Sequence, residues 1–203
     1  MEFFSDNNHK YDYLFKIVIA GDEQTGKTTL INRLKADCFE EFIKNTNYIP
    51  TIGVEFLIKT AKYNNNIFKI QIWDTSGNES FSDKIDYYSK GCVAILLFYN
   101  GLNKSSFEKA ISIYQRIKEG YKKHGLFIFV RSKYDMKFDE TDNNKNNVIS
   151  DDDVLQFIDN NNLNKNLFFA HLSSYQKNES GIDKIFTVIL SQFLKNEKNV
   201  FNF

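Results

Sequence analysis

Residues 21–28 read Gly-Asp-Glu-Gln-Thr-Gly-Lys-Thr, and the prediction of the architecture starts from them. They follow a short apolar run at residues 16–20 and precede a helical pattern at residues 28–37. The spacing G-x-x-x-x-G-K-S/T between a strand and a helix is typical of a phosphate-binding loop. Glycines permit the backbone angles and close approaches that such a loop needs. Successive backbone N–H groups then face one point at the helix N-terminus, which forms an anion cradle.

Two side chains of this loop suit a nucleoside triphosphate. The Lys27 ammonium can reach the outer phosphates, and the Thr28 hydroxyl can ligate Mg²⁺, a hard ion that prefers oxygen. In open α/β sheets, ligands bind at the carboxyl ends of the strands, where this loop lies. The nucleotide-binding residues predicted here are Asp22, Glu23, Gln24, Thr25, Gly26, Lys27, Thr28 and Thr29.

Strand-like and helical patterns alternate along the rest of the chain. Residues 54–63 and 67–73 alternate in polarity around an Asn triplet, which predicts an antiparallel hairpin. Continuous apolar runs, typical of strands covered on both faces, occupy residues 93–99 and 126–130. The other predicted elements are helices at 105–123, 150–160 and 182–194 and a strand at 167–172. This order predicts an α/β fold with a mostly parallel six-stranded sheet, one antiparallel edge strand and helices on both faces.

Composition narrows the functional classes. The 203 residues carry 26 Lys+Arg and 26 Asp+Glu, and this zero net charge argues against a protein that coats nucleic acid. The two cysteines, Cys38 and Cys92, are far apart, which favours a reducing compartment over a disulfide framework. The sequence has no run of apolar residues long enough to span a membrane. We therefore expect a cytoplasmic protein with no nucleic-acid partner and no transmembrane segment.

Residues 132–135, Ser-Lys-Tyr-Asp, bear on the choice of base. A carboxylate at the end of this strand can accept two N–H bonds from one edge of guanine, whereas adenine presents an acceptor there. Asp135 facing adenine would be left unpaired, at a cost of roughly 1–3 kcal/mol. The Lys133 stem can cover the base face. We predict a guanine site contacted by Ser132, Lys133 and Asp135.

Five segments, taken in order, resemble the Ras superfamily of small GTPases and most closely the Rab family, over about residues 13–195. Residues 21–28 are the first, and residues 48–56, Tyr-Ile-Pro-Thr-Ile-Gly-Val-Glu-Phe, are similar to switch I. Residues 70–79, Ile-Gln-Ile-Trp-Asp-Thr-Ser-Gly-Asn-Glu, resemble the W-D-T-A-G-Q-E segment. Residues 132–135 resemble N-K-x-D, and Ser-Ser-Tyr at residues 173–175 resembles S-A-K.

The resemblance implies a P-loop NTPase G domain that binds GTP or GDP with Mg²⁺. It assigns Mg²⁺ ligation to Thr28, Thr51 and Asp74, and γ-phosphate contacts to the N–H groups of Thr51 and Gly77. Loss of the γ-phosphate would then release two loops, which makes the domain a switch. The catalytic residues it implies are Lys27, Thr51, Gly77 and Asn78. The remaining nucleotide contacts it implies are Phe42, Tyr48, Ser173, Ser174 and Tyr175.

Several positions depart from the family pattern. Asn78 stands where the family usually has Gln to orient the attacking water, and a misplaced amide can cost on the order of 100-fold in rate. Glu23 adds bulk and negative charge beside the γ-phosphate. We therefore predict slow hydrolysis. The segment between Lys27 and Thr51 is longer than in typical Rab proteins, so Phe42 or Phe39 would supply the aromatic that covers the nucleotide.

The resemblance also implies partners and a division of the chain. Expected partners are effectors at switch I and switch II, an exchange factor and a GTPase-activating protein. No Cys follows Cys92, so the chain as written has no prenylation site, and peripheral membrane association would use partners or a missing C-terminal tail. We assign residues 1–12 to an N-terminal tail, 13–197 to the G domain and 198–203 to a C-terminal tail.

Three alternatives remain open. A pseudo-GTPase would hold GTP as a binding module, which Asn78 and Glu23 motivate. A soluble Ran-like GTPase would act without a lipid anchor. A P-loop nucleoside or nucleotide kinase would bring several arginines over the phosphates, and none of Arg33, Arg116 and Arg131 is placed as a lid residue by the sequence pattern.

Overall fold

The computed structural model describes residues 2–4, 10–36, 38–44, 50–78, 84–121, 125–136, 147–160, 167–177 and 181–200. The strands within these residues are β1 (Glu2–Phe4), β2 (Tyr13–Gly21), β3 (Val54–Tyr63), β4 (Asn66–Thr75), β5 (Ala94–Asn100), β6 (Leu126–Ser132) and β7 (Leu167–His171). The helices are α1 (Lys27–Lys35), α2 (Phe39–Lys44), α3 (Ile85–Tyr88), α4 (Lys104–Ile117), α5 (Asp151–Asn160) and α6 (Ile182–Val200), with a 3₁₀ turn at Lys118–Tyr121.

In the described part of the chain, the strands form one sheet in the order β1-β3-β4-β2-β5-β6-β7. Strands β4, β2, β5, β6 and β7 run parallel, and β3 is antiparallel to β4. The crossover helices place two apolar clusters on opposite faces of the sheet, one containing Leu30 and Phe186 and the other Phe107 and Val154. The predicted α/β fold, with a mostly parallel sheet covered on both faces, is confirmed.

Residues within the predicted N-terminal tail add a strand to the sheet. Glu2–Phe4 form a further strand, β1, antiparallel to β3, so the sheet gains a strand beyond the predicted six and β3 is no longer its edge. The Phe3 ring packs edge-on against Phe186 of α6, with centroids 5.1 Å apart. An unpaired hairpin edge exposes backbone groups, and β1 satisfies them while burying an apolar ring. At the other end, α6 continues to Val200, past the predicted boundary at 197.

The longer segment after α1 contains a short helix that the pattern did not predict. In α2, Phe39–Lys44, the Phe42 side chain is 3% exposed. The Arg33 guanidinium of α1 lies 4.8 Å from the Phe39 ring centroid and 5.6 Å from that of Phe42. These cation–π and apolar contacts hold α2 against α1.

Candidate functional site

The phosphate loop joins the end of β2 to the start of α1 at the carboxyl edge of the sheet. Gly26 is the N-cap residue of α1, with φ 86°, and no side chain caps this helix end. A residue with a Cβ adopts that left-handed conformation at a cost, so Gly suits the position. The first N–H groups of α1 therefore remain available to an anion, as the sequence predicted for a phosphate cradle.

Lys27 lies inside this loop and is almost fully buried. Its Nζ donates hydrogen bonds to the carbonyl oxygens of Gly21 (3.0 Å) and Asp22 (2.5 Å). Burial lowers the pKa of the Lys27 ammonium, and the charges of nearby acidic groups, Asp74 first, oppose that change. An ammonium has three donors, so these two bonds leave one to reach a ligand in the cradle.

Three oxygen-bearing side chains converge beside Lys27. Thr28 Oγ1 donates to Asp74 Oδ2 at 2.6 Å and lies 2.6 Å from Thr51 Oγ1, while Thr51 Oγ1 is 3.5 Å from the same carboxylate oxygen. Burial raises the pKa of the Asp74 carboxyl to about 6, although the hydrogen bond from Thr28 opposes this. Asp74 Oδ1 is buried and has no hydrogen-bond partner among the described residues. Hydroxyl and carboxylate oxygens with one unsatisfied buried atom fit a hard divalent cation such as Mg²⁺.

The two segments predicted as switches contact each other and the phosphate loop. The Ser76 N–H donates to the Gly53 carbonyl at 2.9 Å, which links the stretch before β3 to the stretch after β4. Gly77 lies against the phosphate loop, because an added Cβ would be 2.4 Å from the Glu23 backbone nitrogen. Only glycine allows this approach. Asn78 is exposed at the end of this segment, and its N–H donates to Ser76 Oγ at 3.3 Å.

The predicted base loops are joined to each other by hydrogen bonds. Ser173 Oγ donates to Asp135 Oδ1 at 2.5 Å, and the Tyr134 N–H donates to the Leu172 carbonyl at 3.2 Å. Ser132 is buried beside Gly26, and its hydroxyl donates to the Tyr99 carbonyl at 2.9 Å. The substituted Ser132 thus has a structural partner within the sheet, and the Ser173 hydroxyl orients the predicted guanine acceptor.

A cavity of about 970 Å³ extends from the phosphate loop, at its phosphate end, to Lys133 and Tyr175 of the predicted base loops, at its base end. The predicted residues that line it are Glu23, Gln24, Gly26, Lys27, Thr28, Thr29, Phe42, Thr51, Gly77, Lys133 and Tyr175. The predicted residues that are not part of its lining are Asp22, Thr25, Asp74, Asn78, Ser132, Asp135, Ser173 and Ser174. Tyr48 lies outside the described residues.

The cavity wall also contains residues that the sequence analysis did not select. They are Asn32, Pro50, Ile52, Val54, Glu55 and Ser76. Most adjoin predicted residues in sequence, and that adjacency was the available signal. Glu55 also lies in the segment that resembles switch I, and in the structure it faces Asp74 across the β3–β4 pair and forms an ion pair with Lys35. The register of that strand pair is what places Glu55 next to Asp74.

The described helices include none that is long and apolar enough to cross a membrane. The sequence model of the Ras family matches residues 16–195. The Ras-related protein Rab-1 of Theileria parva is 32% identical over 181 residues, which cover 89% of this chain and 74% of that protein. The Ras-related protein Rab-11B of Dictyostelium discoideum is 29% identical over 189 residues, covering 93% and 79%. The Ras-related protein Rab-8B of Homo sapiens is 39% identical over 109 residues, which cover 54% of this chain and 50% of that protein.

The match to the family spans most of the chain, and it includes every segment that the structure brings to the cavity. The sheet order and the position of the phosphate loop agree with it. The chain therefore belongs to the Ras family of small GTPases, close to the Rab proteins.

Proposed function

We propose that this chain is a Rab-like switch that binds GTP and GDP with Mg²⁺ and hydrolyses GTP slowly. The observation that carries the proposal is the convergence of Thr28, Thr51 and Asp74 next to the buried Lys27. A cation, a set of hard oxygen ligands and an uncapped helix N-terminus in one place suit a polyphosphate bound with a divalent metal.

Each end of the cavity has its own task in this proposal. The N–H groups of the phosphate loop and Lys27 bind the phosphates, and Asp135 accepts from guanine while Phe42 and Tyr175 cover the nucleoside. Thr28, Thr51 and Asp74 would hold Mg²⁺, which would neutralise phosphate charge and polarise the terminal phosphoryl group. Thr51 and Gly77 sense the γ-phosphate through their N–H groups.

In hydrolysis, water attacks the γ-phosphorus, the bond from that phosphorus to the β–γ bridging oxygen breaks, and GDP and phosphate leave. Asn78 takes the place from which this water would be oriented, but its amide is one methylene shorter than that of Gln. The chemical step therefore loses alignment, which is the physical reason for a slow rate. Departure of phosphate frees Thr51 and Gly77, and the two loops relax.

The family membership supports a role in membrane trafficking, with effectors at the two loops, an exchange factor and a GTPase-activating protein as partners. We place the protein in the cytoplasm with peripheral membrane association, and residues 13–197 as the G domain. The loops linked by the Ser76–Gly53 hydrogen bond are the natural surface for partners that distinguish GTP from GDP.

The test is the nucleotide content of the purified chain, followed by competition between guanosine and adenosine phosphates with and without Mg²⁺. We expect bound guanine nucleotide, a strong preference over adenosine phosphates, and faster GDP release after chelation of Mg²⁺. Equal binding of guanosine and adenosine phosphates would contradict the proposal.

The second candidate is a pseudo-GTPase that retains GTP, and Asn78 with Glu23 favours it. Glu23 is exposed in the cavity wall, where its side chain adds bulk and negative charge at the place from which a group that assists hydrolysis would approach the γ-phosphate. A GTP-loaded sample followed over hours separates the two functions: conversion to GDP and phosphate supports the switch, and unchanged GTP supports the binding module.

A further inference from the structure

Two segments far apart in sequence meet at the base end of the cavity. The ring centroids of Phe42 in α2 and Tyr175 after β7 are 5.3 Å apart, with planes inclined at 48°. Beside them, Lys177 Nζ donates to Glu40 Oε1 at 2.5 Å. Both aromatic rings line the cavity. A ligand that occupies the base end is therefore flanked by a contact between α2 and residues 173–177.

The two sides of this contact are held differently. On the α2 side, Phe42 is buried, and the Arg33 guanidinium of α1 lies over the rings of Phe39 and Phe42. On the other side, Tyr175 and Lys177 are exposed. The α2 side is thus anchored to α1, and residues 173–177 are anchored by the Ser173–Asp135 hydrogen bond. Between the two sides, the described contacts are one ring pair and one surface ion pair. Separating α2 from residues 173–177 requires little free energy, because an exposed ion pair stabilises a contact only slightly and a ring pair only modestly.

These contacts depend on residues that belong to this chain rather than to the motif pattern. Tyr175 stands where S-A-K has Lys, and α2 lies in the segment that is longer than expected between Lys27 and Thr51. The hydrogen bond from Lys177 lowers the pKa of the Glu40 carboxyl, which agrees with an ionised pair.

We propose that α2 and residues 173–177 form a latch, closed by Phe42–Tyr175 and Glu40–Lys177, that sets the rate of guanine nucleotide release. The proposal rests on the proposed function, because it needs a nucleotide in the cavity. Opening the latch removes one wall of the base end and leaves the phosphate loop intact. Glu40 and Lys177, which do not line the cavity, are then positioning residues, and changing them alters dissociation rather than hydrolysis.

The experiment measures release of a fluorescent GDP analogue from the full chain with Mg²⁺ present. We expect Glu40→Lys and Lys177→Glu to speed release about threefold each, and the double variant with both reversals to return near the original rate. Tyr175→Ala should speed release about fivefold, and Tyr175→Phe should keep the original rate because the ring is retained. Lys44→Glu, which makes on α2 the charge change that Lys177→Glu makes on the other side, should have little effect.

Measurements at different salt concentrations distinguish the contribution of the ion pair from that of the ring contact. Raising the ionic strength should reduce the differences among the charge variants, because exposed charges are screened, while leaving the effect of Tyr175→Ala in place. Single-turnover GTP hydrolysis should be unchanged in Glu40→Lys, in Lys177→Glu and in their double variant, because neither residue lines the cavity. Release rates equal to that of Lys44→Glu, or a double reversal that stays as fast as the single variants, would overturn the latch.

The outcomes also distinguish this inference from the proposed function. An unmodified chain that binds guanine nucleotide and keeps the same release rate in all variants overturns the latch alone. An unmodified chain that binds no guanine nucleotide overturns both. Thermal unfolding of each variant shows whether a change in rate reflects the latch or a loss of folded protein.

Discussion

The phosphate end and the base end of the cavity are built in contrasting ways. At the phosphate end, Lys27 and Asp74 are buried, and each contact is a hydrogen bond within the phosphate loop or between threonine and carboxylate oxygens. At the base end, the contacts are a ring pair, a surface ion pair and the Ser173–Asp135 bond. Both ends contain residues that depart from the family pattern, which are Asn78 and Glu23 at the phosphate end and Ser132 and Tyr175 at the base end.

This difference follows from what each end has to bind. A polyphosphate with a metal demands fixed charges and bare backbone N–H groups, and few residue types supply them. A base needs one hydrogen-bonding edge and apolar cover, which many side chains can provide. Substitutions such as Ser132 and Tyr175 are thus accommodated by local partners, whereas we expect substitution of Lys27 to weaken nucleotide binding strongly.

Lys27→Ala gives the largest expected effect and tests the phosphate end directly. Removing a buried cation leaves Asp74 and the phosphates without their compensating charge, so the affinity for GDP should fall by about 100-fold or more. Equilibrium titration with fluorescent GDP measures it. Lys62→Ala, at an exposed lysine of β3, is the control and should leave affinity unchanged. If Lys27→Ala and Lys62→Ala bound GDP with equal affinity, the phosphate end would tolerate substitution as well as the base end does, contrary to the comparison above.

Asn78→Gln tests whether the departure from the family pattern at the phosphate end affects the rate of GTP hydrolysis and leaves nucleotide affinity unchanged. The longer side chain restores the reach of the amide, so single-turnover hydrolysis should rise by about tenfold or more while GDP affinity stays the same. Phosphate release after mixing with Mg²⁺ gives the rate. An unchanged rate would place the cause of slow turnover elsewhere, with Glu23 the next residue to replace.

Asp135→Ala tests the base end. Loss of the carboxylate removes two charge-assisted bonds to guanine, so GDP affinity should fall by about 30-fold, while ADP affinity should rise because adenine no longer faces an unpaired carboxylate. Ser173→Ala, which removes the hydroxyl that holds Asp135, should lower GDP affinity by less. Titration of each variant with both nucleotides gives the ratio. A parallel loss of GDP and ADP affinity would mean that Asp135 supports the loop rather than the base choice.

Asp151→Asn gives the smallest expected effect and tests the support behind the base loops. Asp151 accepts from Arg131 Nη1 at 2.7 Å and lies 2.8 Å from His171 Nε2, and both partners precede the loops in sequence. The variant should lose about 1 kcal/mol of unfolding free energy at pH 7, since the pairs are partly exposed. Urea unfolding at fixed GDP concentration measures it, with the exposed Asp152→Asn as control.

The difference in unfolding free energy between Asp151→Asn and the original chain should depend on pH. Burial raises the pKa of Asp151, but the hydrogen bonds from His171 and Arg131 outweigh it and hold the pKa below its usual value. A depressed carboxyl pKa stabilises the fold above the unfolded value of about 4, and that contribution is lost as pH falls through the folded pKa. The unfolding free energies of Asp151→Asn and of the original chain should therefore become equal below about pH 4.

Much of the fold was predictable from the sequence because its signals are local. Apolar runs at residues 93–99 and 126–130 predicted buried strands, and the structure has β5 and β6 there. The strand β1 and the helix α2 were missed for a shared reason. Three residues, or six, contain too little periodicity to predict an element, and both are stabilised by rings from distant segments, Phe186 for β1 and Tyr175 for α2.

The site divides in the same way. The sequence by itself determined the phosphate loop, the order of the motifs and the family, because phosphate binding requires particular residues at fixed spacing within a few positions. Only the tertiary structure decided that Glu55 lies next to Asp74, that β1 closes the hairpin edge, and that α2 packs on Tyr175 and Lys177. Those contacts join residues far apart in the chain, and their free energy comes from packing and strand register, which local patterns do not encode.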